Sequence, residues 1–180
     1  MRCIRFYLLL LILSSCGHPD RSENTTDDKP VHIASIPTGK LTPIQLIAFA
    51  RSLTGVPYKY GSIDPKEGLD CSGFITYVFN HFGIAVPRTS VGFTFVGREI
   101  ELNNARPGDL VLFTGTDTTT STVGHMGILV SSPGEEFKFI HCTSGKANGV
   151  TETPFSSYYI KRYVKTIRIF PANNSAAASL

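Results

Sequence analysis

The chain lacks a long hydrophobic run. Its longest uninterrupted apolar stretch covers residues 6–13, far short of the roughly 20 residues that cross a bilayer as a helix. A multispan membrane protein is excluded. Strong charge is also missing: the formal net charge is +3, and it falls to +1 without Arg2 and Arg5. So weak a balance excludes a polyelectrolyte surface built for nucleic acid. No internal repeat is present, and cysteine is scarce, at 4 in 180 residues. What remains is 42% hydrophobic, 17% charged and 11% aromatic. That is the profile of one ordinary globular domain, with no room for a second large one.

The first residues read as an address. Arg2 and Arg5 precede the apolar stretch, and the small residues Ser14 and Ser15 follow it, just before Cys16. This is the pattern of a secretory signal over residues 1–15. The ending Leu13-Ser14-Ser15-Cys16 resembles the bacterial lipobox, so Cys16 is expected to carry a lipid and to hold the mature chain on a membrane. Gly17 in place of an aspartate favours the outer membrane of the cell envelope, facing the periplasm. With Cys3 removed and Cys16 lipidated, only Cys71 and Cys142 remain as thiols, in an oxidising compartment where free thiols need an explanation. Residues 17–40 are rich in Asp, Ser, Thr, Asn and Pro and bury too little apolar surface to offset their ordering entropy. The expected organisation is a signal peptide (1–15), a lipidated cysteine and flexible tether (16–40), a folded domain (41–171) and a flexible tail (172–180).

Thr42-Pro43-Ile44-Gln45 carries a cap, a first-turn proline and a capping-box partner, which predicts a helix to about Ser52. A second helix is predicted from near Ser72, with Ile75, Val78, Phe79 and Phe82 at helical spacing and Gly83 beyond its end. After Pro107-Gly108 the pattern turns strand-like at 110–113, 125–131, 137–142 and 166–170. Helices followed by an antiparallel sheet read as an α+β domain.

Cys71 falls at the mouth of the second helix, where unpaired amides and the helix dipole favour a thiolate, with a pKa below the ordinary thiol value. The same position also suits a small buried cysteine. His125 opens one predicted strand and His141 lies near the end of the next. A cysteine nucleophile needs an imidazole to take its proton and a third group to orient that imidazole, and the order Cys71, His125, His141 supplies all three. If residues 132–136 form a five-residue hairpin loop, Gly127 falls opposite His141 and His125 lies diagonal to it on the same face. Cys142 then points to the other face, away from His141. A rival reading gathers Cys71, His125, His141 and Cys142 around zinc, although the short paired spacing of structural zinc sites is missing. His81, near a helix end, and Asp109, after Pro-Gly, have structural readings. Asn148-Gly149 reads as a turn, and residues 115–122 as a solvated connection that can also rim a cleft.

Taken together the motifs resemble the NlpC family of papain-like cysteine peptidases, which cut the peptide stems of the bacterial cell wall. The resemblance rests on Gly55-Val56-Pro57-Tyr58-Lys59-Tyr60-Gly61, Asp70-Cys71-Ser72-Gly73-Phe74, Pro87-Arg88-Thr89-Ser90, Arg106-Pro107-Gly108-Asp109-Leu110-Val111, Gly124-His125-Met126-Gly127-Ile128 and Ile140-His141, in the family's order. Ser62 and Phe93 depart from the common pattern, where many members carry glycine and glutamine, and both bear on substrate detail. The resemblance implies a papain-like fold with N-terminal helices packed on a central antiparallel sheet. It implies Cys71 as nucleophile, His125 as general base and acid, and His141 as the residue that orients His125. Tyr58, Asp70, Ser72 and Arg88 are implied at the oxyanion and substrate-binding positions; Arg88 pairs either with a substrate carboxylate or with a neighbouring loop. No metal or organic cofactor is required, the partners are peptidoglycan stem peptides and the membrane, and a monomer is expected. The alternative is a catalytically silent murein-binding lipoprotein on the same fold.

Overall fold

Thr42 starts the first helix as its sequence signals. In a computed structural model, α1 (Pro43–Ser52) is closed by a reciprocal capping box: Gln45 N–H donates to Thr42 Oγ1, and the Gln45 side chain accepts from the Thr42 amide. The structure describes residues 35–178 apart from Thr118, with side chains as far as Asn174. The signal peptide, Cys16 and most of the tether lie outside the described residues. Within them the tether reading ends early, because Ile36 is 7% exposed and packs into the main core. A branched apolar side chain that finds such a pocket no longer needs to remain in solvent.

A small antiparallel hairpin follows, β1 (Ile63–Asp64) with β2 (Gly68–Leu69), and leads directly into α2 (Cys71–His81). Asp70 caps α2 by accepting from Gly73 N at 2.6 Å, so the helix begins at Cys71 itself, a residue earlier than its apolar spacing predicts. Gly83 supplies the left-handed turn after it, at φ 71°. The rest is a six-stranded antiparallel sheet: β3 (Arg98–Ile100), β4 (Leu110–Thr114), β5 (Val123–Leu129), β6 (Lys138–Thr143), β7 (Gly149–Pro154) and β8 (Tyr163–Arg168), with the short helix α3 (Ser157–Ile160) before β8. Their spatial order is β3-β8-β4-β5-β6-β7. The chain therefore has the α+β architecture of a papain-like fold.

Strand alternation divides the sheet's residues between two cores. Leu110, Leu112, Met126, Ile128, Ile140, Cys142 and Ile167 face α1 and α2, and pack against Leu46, Ala50, Phe74, Ile75 and Phe79. Val111, Phe113, Leu129, Phe139 and Tyr159 form a smaller aromatic cluster on the other face. The hairpin between β5 and β6 has the expected register, with Ile128 opposite Ile140 and Leu129 opposite Phe139. At the start of β5 the pairing with β4 shifts, since Phe113 lies opposite His125 but Thr114 lies opposite Val123. The bulge at Gly124 re-aims the strand beside His125. Gly124 has no room for a side chain, as a Cβ there would stand 2.7 Å from Gly115 Cα.

Asp109 does shape its turn, accepting from Arg106 N at 2.8 Å, but it is also fully buried and ion-paired with Arg168 at 3.0 Å. Asn173, placed in the tail, donates its side-chain amide to Pro107 O at 3.1 Å and so is tied to the domain. His81 stacks on Phe49 with ring centroids 3.6 Å apart.

Candidate active site

Three elements bring their ends to one cavity of about 1030 Å³: the start of α2 with Cys71, the start of β5 with Gly124 and His125, and the turn from β6 to β7 with Thr143 to Ala147. Tyr58, Gly115, Thr116, Thr151, Thr153, Tyr158, Tyr159 and Arg162 complete its lining. Residues 115 and 116 therefore belong to the cleft, while 119–122 are exposed.

The two histidines lie on the face that the five-residue loop predicts. His125 Nε2 and His141 Nδ1 are 2.7 Å apart, and His141 Nε2 is 2.8 Å from Thr153 Oγ1. This engages three of the four ring nitrogens and leaves His125 Nδ1. Burial is the main force on both imidazoles and holds their pKa values far below the ordinary 6.5, with the charge of Arg162 acting in the same direction. His141 is lowered further by its neighbour His125. Both rings are thus neutral in the resting protein. Tyr159 packs edge-on against His141 with centroids 5.6 Å apart.

Cys71 shares the cavity with His125 but does not hydrogen-bond to it. Its Sγ lies 3.5 Å from Ser90 Oγ and 3.8 Å from Gly124 O. The expected depression of its pKa is not found. Burial pushes the thiol up and the Asp70 carboxylate adds to this, outweighing the Ser90 hydroxyl and the amides of Ser72 and Cys71. Desolvation here outweighs the amides at the helix mouth.

Of the four positions implied for substrate, only Tyr58 lines the cavity. Burial and then the charges of Cys71 and Asp70 raise its phenol pKa. Asp70 and Ser72 are buried and bound up with Arg88. Arg88 grips Asp70 through Nη2–Oδ2 at 2.6 Å and Nη1–Oδ1 at 3.1 Å, and also donates to Ser72 Oγ. Burial works against the Asp70 carboxylate, but the hydrogen bonds from Arg88, Gly73 N and Ser72 outweigh it and hold its pKa below the usual range. Arg88 therefore takes the neighbouring-loop option, and the three residues together clamp the start of α2.

Cys142 points to the helical face, where its Sγ donates to Leu69 O at 3.0 Å, and burial pushes its pKa up to about 12. It cannot join His141 around one ion. Among the described residues no group of three His, Cys, Asp or Glu side chains is arranged to hold a metal.

Thr153, Ser90 and Arg162 were not singled out from the sequence. The β-branched run Val150-Thr151 with Thr153 after the Asn148-Gly149 turn was the available sign of β7, and hence of Thr153. Arg162 follows Lys161 in the chain, with no local sign of burial, yet it is 6% exposed.

Comparison with known proteins places this site in context. The model of the NlpC/P60 family matches residues 55–168. The chain is 32% identical over 124 residues to the gamma-DL-glutamyl hydrolase of Bacillus subtilis, an alignment that covers 69% of this chain and 29% of that protein. It is 33% identical over 117 residues to the murein DD-endopeptidase MepS/murein LD-carboxypeptidase of Escherichia coli, covering 64% of this chain and 56% of the relative. These alignments thus span little more than half of either relative's length at most. A crystal structure of an NlpC/P60 family protein from Bacillus cereus superposes with a TM-score of 0.64 at 25% identity, over 73% of this chain and 41% of that one.

Proposed function

The chain belongs to the NlpC/P60 family, and we propose on that premise that it is a cysteine endopeptidase hydrolysing amide bonds in the peptide stems of peptidoglycan. One observation carries the reading: the hydrogen-bonded line from His125 Nε2 through His141 to Thr153 leaves only His125 Nδ1 for the cavity that contains Cys71.

The tautomers follow from that arrangement. For Nδ1 to accept a proton, Nε2 of His125 must carry one and donate it to His141 Nδ1; His141 then carries its own proton on Nε2 and donates to Thr153. When substrate binds, the Cys71 thiol passes its proton to His125 Nδ1 as Sγ attacks the amide carbonyl. The imidazolium returns the proton to the leaving amine, and a thioester remains. Water, deprotonated by the same nitrogen, releases the acid and regenerates the thiol. A resting thiol, which burial favours here, suits such a transfer on substrate arrival. His141 positions His125, Tyr58 faces the substrate near the oxyanion, and Asp70, Ser72 and Arg88 act through the helix start that carries Cys71.

The bond favoured is that between γ-D-glutamate and a diamino acid, in keeping with the hydrolase of Bacillus subtilis; the D-alanyl crosslink is the second choice. The lipid on Cys16 would hold the enzyme at the outer membrane facing the periplasm, and a Cys16→Ser protein should then leave the membrane fraction. Incubating purified protein with defined muropeptides, beside Cys71→Ala, tests the activity and the bond together. Cleavage by the parent alone, read by product mass, supports the peptidase. Binding without cleavage by either protein would favour the silent murein-binding module.

A further inference from the structure

Two arginines are buried to the same degree, Arg162 and Arg168, each 6% exposed. Arg168 has its counter-charge, with Nε and Nη2 donating to the two oxygens of Asp109 at 3.2 and 3.0 Å. Arg162 has none. Its Nη2 donates to the Thr114 carbonyl at 2.8 Å, its Nη1 donates to the Tyr158 hydroxyl, and its Nε is buried without any partner. No acidic side chain pairs with it among the described residues. A buried cation without a counter-charge is among the costlier features a fold can hold.

The location gives that cost a use. Arg162, between α3 and β8, lines the same cavity as Cys71 and His125. We propose that Arg162 is the floor of a carboxylate subsite, and that the missing counter-charge arrives with the substrate as a free carboxylate of the stem peptide. This deepens the peptidase reading and rests on it. Nε–H together with the second N–H of Nη2 forms the side-on edge that accepts a carboxylate in two parallel hydrogen bonds. Tyr158 covers the guanidinium at present, with its ring 4.8 Å from Arg162 Cζ and its hydroxyl on Nη1. Tyr158 is 56% exposed as a residue, so its ring can swing into solvent and uncover the guanidinium edge for the incoming anion. Lys146, the other cation lining the cavity, is exposed and solvated.

The stem peptide offers carboxylates on both sides of the scissile bond, and the test separates them. The full chain carrying Cys71→Ala is titrated calorimetrically with L-alanyl-γ-D-glutamyl-diaminopimelate as the free acid. It is then titrated with the peptide amidated on the glutamyl carboxylate, and with the peptide amidated on the diaminopimelyl carboxylates. One amide should bind at least tenfold more weakly than the acid, and its identity names the side. Adding Arg162→Gln should erase that difference, while Tyr158→Phe should retain it. Equal affinity of all three peptides, including binding of none, overturns the subsite without recourse to any Arg162 variant, as does discrimination that survives Arg162→Gln. Cleavage of the free acid by the unsubstituted chain is scored separately. Carboxylate discrimination without cleavage would remove the peptidase and leave the subsite standing.

Discussion

Acid should destabilise this domain through the pair His125 and His141, and by an amount that can be worked out. Both rings are buried, 9% and 0% exposed, and both keep folded-state pKa values well below the 6.5 of a free imidazole. Once pH drops under 6.5 the unfolded chain takes up two protons that the folded chain refuses. The stabilisation is therefore complete above that pH and is lost progressively as pH falls. Between pH 7 and pH 5 each histidine contributes a loss of about 2 kcal/mol, or about 4 kcal/mol for the pair. For a domain of this size that is a fall in melting midpoint of roughly 8–15 °C. The measurement is thermal unfolding at the two pH values, beside the double variant His125→Gln, His141→Gln. Groups common to both proteins cancel in the comparison. The double variant should show the shallower pH dependence even if its absolute stability is lower. An equal drop in both proteins would refute the claim that the pair is buried and neutral.

Other outcomes follow from single contacts. Thr153→Val leaves the His141 Nε2–H without an acceptor, at a cost of about 1–3 kcal/mol in denaturant unfolding. On muropeptides kcat should fall about tenfold with KM unchanged, as for a group that steadies the base in the transition state. Gly127→Ala puts a Cβ 2.5 Å from Phe139 Cδ2 and 3.2 Å from His141 Cβ. It should destabilise by about 1–3 kcal/mol and cut activity, whereas wild-type stability in that variant would show the hairpin register to be different. Iodoacetamide at pH 8 should modify Cys71 far faster than the fully buried Cys142, with the Cys71 rate still rising beyond pH 9. Equal rates would exclude Cys71 as the accessible thiol.

Local chemistry was enough for much of this protein. The capping box of Thr42 and Gln45, the apolar spacing of α2 and the odd-numbered loop between β5 and β6 each depend on neighbouring residues, and each produced the structure it predicts. Loop parity alone placed His125 and His141 on one face, because side chains in a strand alternate strictly and a shift of one residue inverts them. Burial and pairing across the chain were beyond its reach. β3 is a three-residue strand, Arg98-Glu99-Ile100, whose pairing partner β8 supplies what its own sequence does not signal. Cys71 has the helix-mouth position its sequence promised, yet burial within the folded domain, with the Asp70 carboxylate added, raises its thiol pKa. Asp70, Ser72 and Arg88 had the residue types of a substrate site and turned out to bind one another. Arg162, next to Lys161 in the chain, became the buried cation of the cavity only because α3 and β8 fold over the aromatic cluster. Charge states and partners of this kind depend on which distant groups exclude water, and no window of sequence contains that information.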